Sequence, residues 1–304
     1  MWDNPKAEAK LPLLFLYIRL KLKISYIYAI LKTGKTFCKG AGVMILVTGA
    51  TGFVGQKIMQ MCEGTVACPS LRNVTEDNIR RILEENDIHA IIHTAAISDI
   101  GTCQQNPDDS YTANVLLPLK LVRAAEGRKL ICFSSDQVYS AADEHGPYTE
   151  DMVKPGNLYA QHKLEMEARV LDIDPDAVML RAEWMYDEYF KKSNYFMNII
   201  NATDTLNFSS QQYRGLTYVK EVAESMEKVM QLPGGAYNFG SETTKSMYEI
   251  TKDFLAAIGK NIPLCDVEPR HNLWMDCSKA KSFGVNFSTV EDGLLKCAKD
   301  YNLI

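Results

Sequence analysis

The sequence predicts an α/β fold, a doubly wound parallel sheet followed by a smaller C-terminal lobe. Three observations predict it. "MILVTGATGFVGQ" (44–56) runs from an apolar strand through a Gly-rich turn into a helix. Short apolar strands then alternate with helical stretches as far as about residue 185, the pattern of a parallel sheet covered on both faces. "KLICFSSDQVYS" (129–140) is an apolar run that ends in two hydroxyls and a carboxylate. In open parallel sheets, ligands bind beyond the carboxyl ends of such strands.

The first 43 residues differ from the rest, with eight Lys/Arg against two acids. "LPLLFLYI" (11–18) is apolar, but Arg19, Lys21 and Lys23 interrupt it before the ~20 residues of a spanning helix. Residues 1–43 read as an upstream extension, with Met44 as the start of a soluble enzyme. The alternative is a basic amphipathic helix lying on a membrane surface.

From Met44 each element has a local reason. Ile45 to Val47 form the first strand. Gly49 lets the chain turn sharply, Gly52 lets backbone approach a phosphate, and Gly55 lets the helix pack against the strand. Phe53 to Cys62 carry helical periodicity, and the amides near Phe53 and Val54 at its start suit a pyrophosphate. Thr51 lies within the same turn. "TVAC" (65–68) is a strand, and "TEDNIRRILEEN" (75–86) a helix with Thr75 as its cap. "HAIIHTAA" (89–96) is a strand ending in the small residues Ala95 and Ala96. "PDDSYTANVLLPLKLVRAAEG" (107–127) is a long helix stopped by Gly127. "NLYAQHKLEMEARVL" (157–171) is a helix, and "AVMLRAEW" (177–184) begins as a strand.

After Tyr186 the alternation loosens. The strand "AYNFG" (236–240) mixes with helices at 218–231 and 246–258. "SMYE" (246–249) and "STVE" (288–291) both read as capping boxes. The expected organisation is a Rossmann-type nucleotide-binding part over 44–185 and a substrate-binding lobe over 186–304.

Composition narrows the function. The chain of 304 residues is 46% hydrophobic and 23% charged, ordinary for a globular protein. A net charge of −5 gives no reason to expect a nucleic-acid partner. The eight cysteines form no CxxC pair and do not cluster with the five histidines, so reduced thiols, a cytoplasmic location and no metal site are expected. His93 and His162 read as structural or solvated rather than catalytic.

Tyr159 and Lys163 are four apart on a helix, which puts them on one face. Ser135 precedes Tyr159 by 24 positions, behind a Gly-rich turn. Together these residues resemble the extended short-chain dehydrogenase/reductase superfamily, with TGATGFVG (48–55) similar to its nucleotide signature and "SSDQVYS" to its catalytic-serine strand. The resemblance implies a ketone reduced by hydride from a nicotinamide. Tyr159 would then supply the proton, Lys163 and the oxidised nicotinamide would lower its pKa, and Ser135 would hold the carbonyl oxygen. Lys163 would also hold the nicotinamide ribose, and Asp136 would support the polar network. Asn114, in "YTANVLLP", either completes that network or makes a helix–helix hydrogen bond.

"SSDQVYS", "LRAEWMY" (180–186), "QQYRGLTYVKEVAE" (211–224), "GGAYNFGSE" (234–242) and "MDCSKAKSFGVNFSTVEDGL" (275–294) are more closely similar to the dTDP-4-dehydrorhamnose reductase family. The likeness covers Met44 to the C-terminus and implies reduction of the 4-keto group of a nucleotide-linked deoxysugar. By that analogy Trp184 lines the sugar pocket, against the alternative of a core tryptophan. Arg214 binds a diphosphate, against the alternative of a solvated charge. Two departures bear on the sugar. "RAEW" puts Ala182 and Glu183 where the family's usual run has two hydroxyls, and Leu216 stands where a proline is common.

The strand after Cys68 ends in "CPSLRN" (68–73), with no acid for a ribose 2′-hydroxyl and with Arg72, which suits a 2′-phosphate or is a plain surface arginine. NADP(H) is therefore expected ahead of NAD(H). A homodimer is the commonest assembly in general. Two other readings use the same residues. A nucleotide-sugar epimerase shares the Ser–Tyr–Lys set, and a non-catalytic NAD(P)-binding regulatory protein, such as the regulatory subunit of methionine adenosyltransferase, shares the fold. A dehydratase is disfavoured, since Gln137 cannot protonate a leaving hydroxyl.

Overall fold

The computed structural model describes residues 42–188, 194–269 and 271–304. The basic N-terminal stretch, up to residue 41, lies outside the described residues. Six parallel strands form the main sheet: β1 (Met44–Thr48), β2 (Thr65–Ala67), β3 (Ile88–His93), β4 (Lys129–Ser135), β5 (Val178–Ala182) and, late in the chain, Gly235–Phe239. Their spatial order is β2-β1-β3-β4-β5 and then Gly235–Phe239. From β1 the chain goes to one side for β2 and returns past it for β3. That reversal opens a crevice at the carboxyl ends of β1 and β3, where such sheets bind ligands.

The strands are apolar throughout because both faces are covered. Ile45, Val47, Ile131 and Phe133 point to one face, against Ile58 of α1 (Phe53–Met61) and against Val222 and Met226 further along the chain. Leu46, Leu130 and Cys132 point to the other. There they meet Ile79 and Leu83 of α2 (Glu76–Glu85), Leu119 and Val122, and Met166 and Val170. Each such aliphatic side chain, fully buried, contributes about 1.5–3 kcal/mol.

Local chemistry sets most ends as expected. Thr75 caps α2 in a full capping box with Asn78. After α3 (Ile100–Gln105), the long helix predicted over 107–127 is made of α4 (Pro107–Tyr111), a π-helical turn at Thr112–Leu116 and α5 (Leu117–Ala125). The stop is not Gly127 alone: Glu126 already adopts the left-handed conformation, φ 51°, and Gly127 follows at φ 82°. Asn157 caps α6 (Leu158–Ile173).

The strand predicted over 177–184 breaks at Glu183. β5 stays in the main sheet, and β6 (Trp184–Tyr186) pairs instead with β8 (Leu216–Tyr218). Between them lie α7 (Tyr195–Ile200) and β7 (Leu206–Phe208). Residue 185 is not a clean boundary, because the chain returns to the main sheet with α8 (Val219–Val229) and β9 (Gly235–Phe239). The lobe then closes with α9 (Met247–Ala257), β10 (Leu264–Asp266), α10 (Ser278–Ser282) and α11 (Val290–Asp300). Its core gathers Tyr186, Tyr195, Phe196, Tyr218, Phe254 and Leu294. The "SMYE" capping box forms at Ser246 and Glu249. "STVE" does not: Thr289 caps α11 through Asp292, one residue later, and Ser288 bonds Glu221 instead. Among the described residues no helix is long and apolar enough to cross a membrane.

Candidate active site

A cavity of about 640 Å³ opens at the carboxyl ends of β1, β3, β4 and β5. Gly52, Phe53 and Val54 line it after β1, and Thr94, Ala96 and Ser98 after β3. Ser134, Ser135, Asp136 and Gln137 follow β4. Tyr159 and Lys163 reach it from α6, and Glu183, Trp184 and Arg214 from the lobe side. Most of the predicted site thus meets in one hollow.

The Gly-rich turn is tight for steric reasons. Gly49 holds φ 67°, and a Cβ there would lie 2.7 Å from the Ala95 nitrogen. A Cβ on Gly55 would lie 2.2 Å from the Gly49 carbonyl oxygen. Gly55 therefore packs the helix onto the turn itself, rather than onto the strand as expected. Thr94 ties the turn down, donating from Oγ1 to the Thr48 carbonyl at 2.7 Å. Thr51 is exposed and Ala95 half-buried, and neither lines the cavity.

At the tip of β4 the two hydroxyls divide their roles. Ser134 donates to Glu167, which also holds Arg181 at 2.8 Å in a buried ion pair. Ser135 donates to Asp136 Oδ1 at 3.1 Å and accepts from the Gln137 amide. Asp136 is buried, and its Oδ2 accepts from Arg214 Nη2 at 2.8 Å. Burial raises the Asp136 carboxyl above its ordinary range, and Arg214 and Ser135 oppose the rise.

Burial also pushes the Tyr159 phenol up, with hydrogen bonding to Ser135 acting against it. Lys163 is 2% exposed and donates to the Phe133 carbonyl at 2.7 Å, with Nζ 5.9 Å from the Tyr159 ring centre. Burial lowers its pKa to about 8, with Cys132 and Glu167 holding it up. Burial governs the phenol in this arrangement, and the expected lowering by Lys163 does not register.

Four predicted residues find different surroundings. Asn114, fully buried within the π-helical turn, donates to the Ile97 carbonyl and accepts from its amide. It anchors the loop after β3 and does not line the cavity, and its amide also reaches Ser110 Oγ of α4 at 3.2 Å and Cys103 Sγ of α3 at 3.9 Å, the helix–helix contact that was its alternative. Trp184 does line the cavity, with the Arg214 guanidinium 5.1 Å from its ring centre. Arg214 is thus no solvated charge but is gripped between Trp184 and Asp136. Arg72 is exposed in the loop after β2, outside the cavity lining.

Among the histidines, His93 and His162 bond within the fold and do not line the cavity. His93 shares a hydrogen bond with Thr48 Oγ1 at 2.7 Å, and burial, then Lys163, lowers its pKa to about 3. His162 bonds Ser110. Sequence reasoning passed over Ser98 and Thr94, weighed Gln137 only against a dehydratase, and did not read Glu183 as a site residue. Glu183 stood out only as a departure from a family pattern, yet it lines the cavity at 6% exposure.

The family model for the RmlD substrate binding domain matches residues 43–272. Mouse methionine adenosyltransferase 2 subunit beta is 28% identical, over 81% of this chain and 84% of that protein. The dTDP-4-dehydrorhamnose reductase of Mycolicibacterium smegmatis is 32% identical, over 47% of this chain and 46% of its own length. In fold, the chain is similar to the dTDP-4-dehydrorhamnose reductase of Bacillus anthracis, solved in complex with NADP. The TM-score is 0.74 at 19% identity, covering 86% of this chain and 100% of that one.

Proposed function

Since this chain belongs to the RmlD substrate binding domain family, we propose that it is an oxidoreductase that uses NADPH, or less readily NADH, to reduce a keto group on a nucleotide-linked sugar. One observation carries the reading. Gly52 of the Gly-rich turn, the Ser135, Tyr159 and Lys163 side chains, and Trp184 and Arg214 all line a single cavity.

The residues fit a dinucleotide. Without side chains at Gly49 and Gly55, the turn leaves the start of α1 at the cavity wall, where a helix N-terminus favours phosphate. The cofactor, when bound, supplies the hydride. The chain's own residues do the rest. Ser135 donates a hydrogen bond to the ketone oxygen, turning from Asp136 to do so. Burial keeps the Tyr159 phenol protonated at neutral pH. It yields its proton only to a strong base, and the oxygen becomes one as negative charge builds on it. Lys163, cationic below about pH 8, offsets the phenolate that remains. The guanidinium of Arg214 and the indole of Trp184 suit the phosphate and sugar of the substrate.

The test is NADPH and NADH oxidation with dTDP-4-dehydrorhamnose, with Tyr159→Phe as control. Turnover that depends on Tyr159 supports the reading. Cofactor binding without oxidation of either nicotinamide, across a panel of keto-sugar nucleotides, would sink it.

A second reading rests on the relatives named as methionine adenosyltransferase 2 subunit beta. On it the chain binds NADP(H) as a subunit of a methionine adenosyltransferase and catalyses no reduction. Co-purification with such an enzyme, together with absent turnover, would favour it.

A further inference from the structure

Glu183 has no assigned task, and its surroundings are unusual. It sits where β5 gives way to β6, and its carboxyl occupies space that two glycines leave open. A Cβ on Gly215 would lie 1.8 Å from Oε1, and one on Gly240 would lie 2.1 Å from Oε2. Oε2 accepts from the Thr217 hydroxyl at 2.8 Å. Oε1 is buried and has no hydrogen-bond partner among the described residues. The Nε of Arg214, also on the cavity wall, is in the same condition. Burying a polar atom unpaired costs about 1–3 kcal/mol, so two beside one cavity call for a ligand that supplies the missing partners.

We propose that Glu183 is a specificity-determining residue whose Oε1 hydrogen-bonds a hydroxyl of the bound sugar, with Arg214 Nε donating to an oxygen of the same ligand. This rests on the reading of the site as one for a nucleotide-linked sugar. A hydroxyl is the fitting group because it both donates and accepts. It satisfies Oε1 whether the carboxyl is ionised or neutral, and it offers Nε an acceptor. A methyl or a bare carbon at that place satisfies neither. Burial holds the carboxyl well above its ordinary range, the nearby Asp136 adds to this, and Thr217, Arg214 and the Ser241 backbone amide oppose it. Glu183 is thus held toward the neutral form, in which Oε1 can carry the proton and donate.

The experiment is equilibrium binding of dTDP-rhamnose and its 2-deoxy and 3-deoxy analogues in the presence of NADP⁺, by calorimetry, with turnover measured separately. Wild type is expected to bind dTDP-rhamnose roughly tenfold or more tightly than one of the analogues, the effect of one hydrogen bond to a buried partner. Glu183→Ala should lose that preference by weakening only the hydroxylated ligand, with NADP⁺ affinity unchanged. Glu183→Gln keeps the shape and a hydrogen-bonding terminus, so it should fold and retain most of the preference. Gly215→Ala, whose Cβ displaces the carboxyl, should reproduce the Glu183→Ala result. Equal discrimination in wild type and Glu183→Ala overturns the inference, as does failure of wild type to bind any of the three sugars. Sugar binding that discriminates in wild type but not in Glu183→Ala, without turnover of the keto form, keeps the inference and removes only the reductase reading.

Discussion

Asp136 and Arg214, 78 positions apart in the chain, meet at 2.8 Å at the edge of the cavity. The pair joins the tip of β4 to the strand-like segment just before β8, so it holds sheet and lobe in register. Asp136 is buried, while the Arg214 side chain keeps 17% of its exposure. Removing one partner strands the other. Arg214→Met should lower stability by roughly 2 kcal/mol, less than a fully buried pair because solvent reaches the guanidinium. The double variant with Asp136→Asn should recover part of that loss. Urea unfolding of the two single variants and the double one checks the coupling, and strict additivity would refute it.

Tyr159→Phe removes the proton donor and keeps the ring. With the phenol buried and protonated, reduction of a keto-sugar nucleotide should fall by about 10²–10⁴-fold, the usual weight of a general acid. NADPH affinity should stay within a few-fold of wild type. A variant that loses NADPH binding along with turnover would place Tyr159 in cofactor binding instead.

The strand tips and the Tyr–Lys helix were legible because their signals are local. A Gly-rich turn marks a tight passage from strand to helix, although it does not say which neighbour Gly55 packs against, and four-residue spacing has one face. Glu183 was hidden by its own strand: "AVMLRAEW" reads as continuous, and nothing in the apolar pattern marks the switch from the main sheet to pairing with β8. Arg214 was ambiguous because its partner lies 78 positions away and spacing carries no such information. Asn114 illustrates the reverse case. Its presence near the site was foreseen, but the widened π-helical turn that aims it at the Ile97 backbone leaves no trace in the sequence. The return of β9 to the sheet was equally silent, since its pairing with β5 is set by distant chain.

Arg72 tests cofactor choice. It is exposed after β2, the strand whose end carries the ribose contact in such folds. If its guanidinium takes a 2′-phosphate, Arg72→Ala should weaken NADPH by about tenfold and leave NADH nearly untouched, the scale of one charge-assisted hydrogen bond. Fluorescence titration with both nucleotides decides it. Equal losses would return Arg72 to the surface.

Lys163 gives the site a pH signature. Its pKa falls from 10.5 to about 8 on folding, chiefly through burial. Between those values the unfolded chain holds a proton on Lys163 that the folded chain has released. Stability from this group therefore rises with pH across that window, and below about pH 8 the buried ammonium is a constant penalty. Lys163→Met removes the titration. Measured as urea unfolding free energy, wild type should gain on Lys163→Met as pH goes from 7.5 to 10, by up to roughly 3 kcal/mol if the full shift is realised. Taking the difference between the two proteins cancels the other groups that titrate in the same range, the tyrosines among them. A flat difference across that range would mean that Lys163 keeps its ordinary affinity for a proton, and with it a hydrated ammonium that the buried contact with Phe133 does not allow.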